Sequence, residues 1–240
     1  MRFLVVGART GIGKALYDEL LSLGHHVQGT SSTPTEDLLE LDLTDPVSIQ
    51  RLSLEQEPDV AFNCAVKWNK AASPMDLGRL GNPIGEQSLY DFEEMLRANV
   101  VGYLELFQKV YLQWVNTKVV HLGSGTVPAN LNLPNARESD KRVARFAISS
   151  CKAAQQMLVA RAQYENPERK FVWLDPIPPD AIGVADPTIT NRVLEGTSLE
   201  QWKVEDSVDN EVNMWGSGLL SPRACANYIL EEYGKLMVEK

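Results

Sequence analysis

Short apolar runs alternate with segments of helical periodicity along the whole chain, and no repeat or low-complexity linker divides it. Six runs of strand length predict the strands of a sheet: residues 3–6, 26–30, 38–41, 59–64, 118–122 and 170–174. Helices are predicted at residues 13–23, 89–98, 100–115, 139–164 and 221–237. Strands separated by helices of this length run parallel, with right-handed crossovers. The pattern predicts one α/β domain over residues 1–240, with a doubly wound parallel sheet of six strands, or seven as the alternative.

The composition excludes several classes of function. A net charge of −9 repels a nucleic-acid backbone, and no apolar run reaches the roughly 20 residues that a membrane span needs. The three cysteines (Cys64, Cys151 and Cys225) are odd in number and have no metal-ligand spacing, which argues against a disulfide framework and a zinc site. Cys64 and Cys151 are predicted to be small core residues. We expect a soluble, cytoplasmic protein with no metal, membrane or nucleic-acid partner.

Glycines cluster where the first predicted strand ends and the first predicted helix begins. This segment, Gly7-Ala-Arg-Thr-Gly11-Ile-Gly13, is called the glycine loop below. Glycine permits a tight turn and a close approach of the backbone to a pyrophosphate, and the helix N-terminus offers N–H groups to the anion. The alternative is a glycine-rich helix entry that binds nothing. With a strand before it and a helix after it, the loop predicts a dinucleotide site.

Further segments, spread from residue 1 to about residue 237, resemble the short-chain dehydrogenase/reductase family. The glycine loop is similar to the family's glycine signature, and Asp42-Leu43 resembles the pair that holds the adenine ring. Asn63-Cys-Ala65-Val resembles the Asn-Asn-Ala-Gly that follows the fourth strand. The resemblance implies a Rossmann-type fold and a set of cofactor-binding residues: Gly7, Arg9, Thr10, Gly11, Ile12, Gly13, Thr30, Ser31, Asp42, Leu43, Asn63, Ala65, Lys152, Pro179 and Ile182.

Three more segments resemble the catalytic region of that family. Ser124 stands where the family has its catalytic serine, and Asn99 resembles the asparagine whose backbone holds a catalytic water. Ile148-Ser-Ser-Cys-Lys152 resembles Tyr-x-x-x-Lys with isoleucine at the tyrosine position. The resemblance therefore implies Ser124, Lys152 and Asn99 as catalytic residues. It also implies a nicotinamide-side segment at 174–182, and residues 176–218 are predicted to form a substrate lid.

The missing tyrosine bears directly on the chemistry. No tyrosine lies between Tyr111 and Tyr164, so a shifted alignment supplies none. Residues four apart on a helix share a face, so a lysine ammonium can lower the pKa of a phenol one turn away while bonding the cofactor ribose. Ile148 can neither donate a proton nor accept one. Lys152 of the pair remains, which supports the prediction of a bound cofactor. Ile148 leaves the proton transfer without the usual phenol.

Each of these residues also has a structural interpretation that remains open. Lys152 can be a solvated helix lysine, and Ser124 can be an ordinary serine at a strand end. Asn99 can satisfy a helix junction through its side chain. His121 lies inside an apolar strand, where a buried, hydrogen-bonded histidine is expected in preference to a general acid.

The end of the second strand decides the cofactor. A site for NAD usually has an acidic residue there that bonds the ribose 2′-hydroxyl. This chain has Gly29-Thr-Ser-Ser-Thr33 instead, and Arg9 in the glycine loop can bond a 2′-phosphate. The sequence therefore predicts NADP. In the alternative, Arg9 points to solvent, Glu36 or Asp37 folds back onto the ribose, and the cofactor is NAD.

Three functions are compatible with these residues. The working hypothesis is an oxidoreductase that exchanges hydride between NADP(H) and an unidentified small carbonyl or sugar-like substrate, with water, Ser124 or the substrate supplying the proton. The second is a lyase or isomerase. The third is a non-catalytic NADP-binding sensor or partner subunit. In the resembled family the two central helices often pair subunits, which implies a homodimer or homotetramer.

Overall fold

A six-stranded parallel sheet organises the chain. The computed structural model describes residues 1–33, 35–67, 88–123, 146–176, 183–184, 219–220 and 222–238. The strand order is β3-β2-β1-β4-β5-β6, and every neighbouring pair is parallel. In this order the chain winds outward from β1 to one edge and then from β4 to the other, which is the doubly wound arrangement. The predicted fold class is confirmed.

The strands form where the apolar runs predict them. Their bounds are β1 Arg2–Val6, β2 His26–Ser31, β3 Leu38–Glu40, β4 Val60–Asn63, β5 Lys118–Leu122 and β6 Phe171–Leu174. β1 and β4 are buried on both faces, since helices cover both sides of a doubly wound sheet. Two further short strands, β7 at Gly183–Val184 and β8 at Leu219–Leu220, pair with each other in parallel and form a separate two-stranded sheet.

The helices connect these strands. They are α1 at Gly11–Ser22, α2 at Pro46–Arg51, the continuous helical segment 89–111 called α3, α4 at Phe146–Glu165 and α5 at Pro222–Val238. α2 begins with a side-chain cap, because the Asp45 carboxylate accepts a hydrogen bond of 2.9 Å from the Val47 N–H and Pro46 occupies the first turn. The prediction of α4 begins at residue 139, and its first seven residues lie outside the described part of the chain.

The prediction of two helices at 89–98 and 100–115 is wrong. A single helix runs through the expected break as Leu89–Leu96, a π-helical segment Arg97–Val101, Gly102–Leu106 and a second π-helical segment Phe107–Tyr111. The Asn99 side chain bonds the backbone of Lys67 in a neighbouring loop instead of capping a new helix. At this point the backbone hydrogen bonds of the helix span one more residue than in an α-helix, and the helix continues without a break.

Two apolar cores lie on opposite faces of the sheet. On one face, Leu4 and Val6 of β1 pack with Tyr103, Phe107 and other residues of α3, and with residues of α2 and α4. On the other face, Phe3 and Val5 of β1 pack against α1 and α5. Alternation of side chains along β1 divides these four residues between the two cores. The two cores therefore fix the five helices relative to the sheet, with α2, α3 and α4 on one face and α1 and α5 on the other.

Some sequence predictions have no structural counterpart to compare with. Ser124, Pro179 and Ile182 lie outside the described residues, as does most of the predicted lid at 176–218. Among the helices of the described residues, none has both the length and the apolar character that a bilayer crossing requires. The described residues also contain no group of His, Cys, Asp and Glu side chains arranged to hold a metal ion.

Two helical glycines offer a matched test of this packing. A Cβ at Gly102 of α3 would overlap the carbonyl oxygen of Leu43, whereas a Cβ at Gly234 of α5 would meet no atom within 4 Å. We expect Gly102→Ala to lower the free energy of unfolding by about 1–3 kcal/mol through overpacking. Gly234→Ala should raise it by about 0.5–1 kcal/mol, because alanine loses less backbone entropy in a helix. Denaturant unfolding of both variants measures the difference, and equal effects would contradict the close contact at Gly102.

Candidate functional site

The predicted site residues that the structure describes meet at one edge of the sheet. Because the six strands are parallel, the segments that follow their carboxyl ends lie side by side. The glycine loop follows β1, Thr30 and Ser31 end β2, and Asp42 and Leu43 follow β3. Asn63 and Ala65 lie at the end of β4, and Lys152 on α4 contacts the end of β5.

The glycine loop needs its glycines for steric reasons. Gly7 and Gly11 have φ angles of 85° and 58°, in the left-handed region that favours glycine. A Cβ at Gly7 would lie 2.7 Å from the Ala65 Cα, and a Cβ at Gly13 would overlap the Gly7 carbonyl oxygen. The loop is therefore packed backbone to backbone against the end of β4. No residue with a side chain fits at positions 7 or 13 without movement of the main chain.

This packing places the N-terminus of α1 at the site. Thr10 is the N-cap residue in an extended conformation, and its side chain makes no capping hydrogen bond. The first helical hydrogen bond runs from the Lys14 N–H to the Thr10 carbonyl, at 3.2 Å. The N–H groups that precede Lys14 in the first turn therefore have no side-chain cap, and Arg9 and Thr10 are exposed beside them. Such a terminus can bind an anionic group.

The end of β2 is held to the glycine loop. The Gly7 N–H donates to the Thr30 hydroxyl at 3.3 Å, and the Ala8 N–H donates to the Thr30 carbonyl at 2.8 Å. The Ser31 hydroxyl accepts from the Thr33 N–H at 3.1 Å. Thr30 and Ser31 are buried, and their hydroxyls hold the backbone of the glycine loop and of the turn after β2.

The acidic alternatives for a ribose partner also lie in the described segment. Glu36 and Asp37 are exposed. Burial raises the pKa of the Tyr17 hydroxyl of α1, and the charge of Asp37 adds to that increase, which places Asp37 near the flank of α1. Arg9 remains the exposed cation of the glycine loop itself.

Asp42 forms the turn between β3 and α2. Its Oδ1 accepts hydrogen bonds from the Thr44 N–H at 2.8 Å and from the Thr44 hydroxyl at 2.7 Å, and its own N–H donates to the Ser48 hydroxyl at 2.9 Å. Leu43 is buried against Gly102 of α3. The pair predicted to hold an adenine ring is thus fixed in position by the turn and by the helix behind it.

A chain of buried polar side chains lies beneath the site, and the sequence did not reveal it. The Asn63 amide donates to Nδ1 of His121 at 2.9 Å, and Nε2 of His121 donates to Oε1 of Gln155 at 3.0 Å. The Gln155 amide then donates to the Asn99 carbonyl at 2.5 Å. The Asn99 side chain continues the chain with two bonds to the Lys67 backbone, of 2.8 and 2.9 Å. We call these four side chains the buried polar chain.

The buried polar chain fixes the state of His121. The ring has no exposed surface, and burial lowers its pKa well below the ordinary value, with the nearby charge of Lys152 acting in the same direction. The neutral ring with its proton on Nε2 matches both hydrogen bonds. The prediction that His121 is buried and hydrogen-bonded is confirmed. Asn99 likewise uses its side chain at a junction, and its carbonyl is occupied by Gln155.

Lys152 and Ile148 lie one turn apart on α4 in different surroundings. The Lys152 side chain is buried, at 7% exposure, and its Nζ donates to the Leu122 carbonyl at 2.8 Å. Burial lowers its pKa to about 8, and the nearby Cys64, Cys151 and Asp175 partly oppose that decrease. The interpretation of Lys152 as a solvated surface lysine is therefore wrong. Ile148 is 5% exposed and belongs to an apolar cluster with Met95 and Cys151.

The cysteines near the site are not activated. Burial raises the pKa of Cys64 to about 12 and that of Cys151 to about 11. All three cysteines of the chain are free. At neutral pH these thiols keep their protons, and Cys151 packs in the same apolar cluster as Ile148. The prediction that they are small core residues agrees with this environment.

Comparison with known proteins gives the class to which this architecture belongs. Residues 3–78 match the model of the NAD dependent epimerase/dehydratase family. No curated protein matches the chain. A solved short chain dehydrogenase/reductase family protein is similar over 96% of this chain and 88% of its own, with 16% identity and a TM-score of 0.65.

Two other solved structures are similar to the same extent. One is a short chain dehydrogenase from Burkholderia cenocepacia in complex with NADP, with 16% identity and a TM-score of 0.64 over 97% of this chain and 84% of that one. The other is described as a ribose-5-phosphate isomerase from Brucella melitensis, with 16% identity and a TM-score of 0.64 over 95% and 83%. The chain has the Rossmann-type fold of short-chain dehydrogenases/reductases, and the predicted resemblance is confirmed at that level.

The buried lysine predicts a pH-dependent stability difference. The pKa of Lys152 is about 8 in the folded protein and 10.5 in the unfolded chain, so the unfolded chain binds this proton more tightly. Below pH 8 both states are protonated and the folded protein carries the whole cost of the buried charge, about 3 kcal/mol. We expect Lys152→Met to be more stable than the wild type there, and the difference should decrease as the pH rises from about 8 to about 10. Unfolding in denaturant at several pH values measures it; a constant difference would contradict the lowered pKa.

Proposed function

We propose that this protein is an NADP(H)-binding oxidoreductase of the short-chain dehydrogenase/reductase type, acting on a small carbonyl or sugar-like substrate. One observation carries the proposal: the uncapped N-terminus of α1, packed through Gly7 and Gly13 against β4, shares its edge of the sheet with the buried ammonium of Lys152. An anion site and a buried cation along one sheet edge suit the pyrophosphate and the nicotinamide ribose of a dinucleotide.

The residues at this edge fit such a cofactor. Gly7 and Gly13 pack the loop tightly against β4, and the first-turn N–H groups of α1 that this packing places at the sheet edge have no side-chain cap and can bond a pyrophosphate. Asp42 and Leu43 would hold the adenine, and Lys152 has N–H groups beyond the one bonded to Leu122 that can donate to ribose hydroxyls. When bound, the nicotinamide supplies the hydride. The protein supplies orientation and a surface from which water is excluded.

The preference for NADP rests on Arg9. It is the exposed cation of the glycine loop, and a guanidinium can bond a 2′-phosphate with two N–H groups. Thr30 and Ser31 end β2 without a carboxylate that would repel the phosphate. A solved neighbour with a TM-score of 0.64 is described as a complex with NADP, which agrees with this choice.

Titration of the purified protein with NADPH and NADH, followed by nicotinamide fluorescence, tests both parts of the proposal. Arg9→Ala should weaken NADPH binding about tenfold, or about 1.4 kcal/mol, and leave NADH binding unchanged. Arg161→Ala is the control, because Arg161 is an exposed arginine paired with Glu165 on α4. Equal affinity for both coenzymes with no effect of Arg9→Ala would contradict the preference for NADP. Failure to bind either coenzyme would refute the proposed function.

A non-catalytic, NADP-binding role is the second candidate. The observation that favours it is the burial of Ile148, whose side chain packs with Met95 and Cys151 instead of supplying a group that can move a proton. General acid catalysis typically contributes about 10² to 10⁴ in rate, so its loss would strongly slow the reduction of a ketone. A lyase or isomerase activity remains compatible with the fold, since a fold does not determine a reaction.

Restoring the phenol separates these candidates. Ile148→Tyr should create or increase NADPH-dependent reduction in a panel of small ketones and aldehydes by tenfold or more, because Lys152 lies one turn away and can lower the pKa of the new hydroxyl. Ile148→Phe is the matched control, with the same ring and no hydroxyl. Steady-state rates of both variants, with unfolding curves to check the overpacked cluster, decide the result. Equal rates for the two variants, or no gain with tyrosine, would favour the non-catalytic role.

A further inference from the structure

Lys152 is positioned as more than a binding group. It extends from the second turn of α4 to the carboxyl end of β5, where Nζ donates 2.8 Å to the Leu122 carbonyl. An ammonium has three N–H donors, and this bond uses one of them. The remaining donors are buried with the side chain at the edge of the sheet where the other predicted cofactor residues lie.

Among the titratable groups that face Lys152 in the described part of the chain, none has a pKa closer to neutral pH than Lys152 itself. They are Cys64 from the end of β4, His121 of β5, Cys151 of α4 itself and Asp175 after β6. Burial holds the pKa values of the two thiols near 12 and 11, and holds that of His121 well below its ordinary value. The thiols are therefore neutral and the imidazole is uncharged at pH 7. Burial brings the pKa of Lys152 to about 8, and the carboxylate of Asp175 works against that decrease.

We propose that the Lys152 ammonium is itself the proton donor of the reaction, in addition to binding the ribose. The inference rests on the proposed oxidoreductase function. Ile148, one turn earlier at the position that resembles the family's tyrosine, is enclosed in an apolar cluster with Met95 and Cys151, so this position brings no hydroxyl to the site. Lys152 is a buried cation at the same sheet edge, held in place by a backbone carbonyl.

The step balances with the chain's own residue as the acid. Nζ gives one proton to the carbonyl oxygen of the substrate, and a bound reduced nicotinamide would supply the hydride to the carbonyl carbon. The N–H bond of Lys152 and a C–H bond of the reduced coenzyme would break, the carbonyl π bond would be lost, and O–H and C–H bonds would form on the substrate, whose two added electrons would come from the coenzyme. The neutral amine of Lys152 then regains a proton from solvent. In the reverse direction the neutral amine accepts the proton of the alcohol.

The direction of the pH dependence follows from this role. Carbonyl reduction needs the charged form of Lys152, so its rate should be constant below about pH 8 and fall about tenfold per pH unit above it. Alcohol oxidation needs the neutral form and should rise up to the same pH. Asp175→Asn removes the carboxylate that opposes the decrease, so the alkaline limb of the reduction profile should move to lower pH.

The test uses the full-length protein with NADPH and with diacetyl and ethyl pyruvate as carbonyl probes, from about pH 6 to about pH 10. Lys152→Arg keeps a cation able to bond ribose hydroxyls but cannot release a proton in this range. We expect it to bind NADPH within about threefold of the wild type and to reduce the probes at least about 100-fold more slowly. Lys109→Arg, at an exposed position of α3, is the control and should change neither quantity.

A second readout does not depend on activity. NMR of protein labelled at lysine Cε should show one lysine that titrates near pH 8, absent from Lys152→Arg and shifted to lower pH in Asp175→Asn. This comparison remains valid if Lys152→Arg proves unstable, because Asp175→Asn and the wild type suffice for it.

The outcomes separate the two proposals. If the wild type binds neither NADPH nor NADH, the proposed function fails. If NADPH binds but Lys152→Arg reduces the probes as fast as the wild type, or the reduction profile does not move in Asp175→Asn, Lys152 is not the donor. The donor role is also overturned if NADPH binds and the wild type reduces neither probe at any pH, and cofactor binding then stands alone.

Discussion

The closeness of two backbone segments at the end of β1 sets the geometry of everything around it. Gly7 lies against Ala65 and Gly13 lies against the Gly7 carbonyl, at separations that no side chain allows. The Ala8 N–H bonds the end of β2, and the Cys64 N–H bonds the Val6 carbonyl, so the turn is fastened to both neighbours of the central strand. Only with this packing does α1 begin directly above the edge of the sheet, with its first-turn N–H groups free of a side-chain cap. The anion site is thus a consequence of main-chain packing more than of any single side chain.

The other half of the edge contains a group that stability alone does not explain. Removing an ammonium from water carries a large cost unless it is well paired, and Lys152 has one backbone carbonyl at 2.8 Å and the more distant charge of Asp175. A buried titratable group under such conditions is typical of functional sites. Ile148, one turn away, has the opposite character, because it adds to the apolar packing between α3 and α4. Within one helix turn the chain therefore combines a costly charged residue with a residue that cannot take part in chemistry.

Sequence patterns predicted the parts of the fold that depend on local order. β5 was predicted at Lys118–Leu122 and is found there. A strand that helices cover on both faces is a continuous apolar run, and the charged Lys118 marks where this run begins. α1 begins two residues earlier than predicted, since Gly11 of the loop already adopts the first helical position. The break expected near Asn99 did not occur, because π turns absorb the irregularity and the amide bonds a loop that is distant in sequence. The partners of Gln155 lie 34 and 56 residues away, and no periodicity reports contacts of that range.

The buried polar chain has an implication for how this sequence can change over evolutionary time. The hydrogen bonds from Asn63 through His121 and Gln155 run in one direction and end on the Asn99 main-chain oxygen, which can only accept. Replacing one or two of these three side chains leaves a buried hydrogen-bonding group of a remaining one without its partner, whereas replacing all three by apolar groups of similar volume removes only the Gln155 bond from the Asn99 carbonyl. Natural variation at positions 63, 121 and 155 should therefore be correlated, with polar identities inherited or lost as a set, even though these residues lie in three separate elements of the chain.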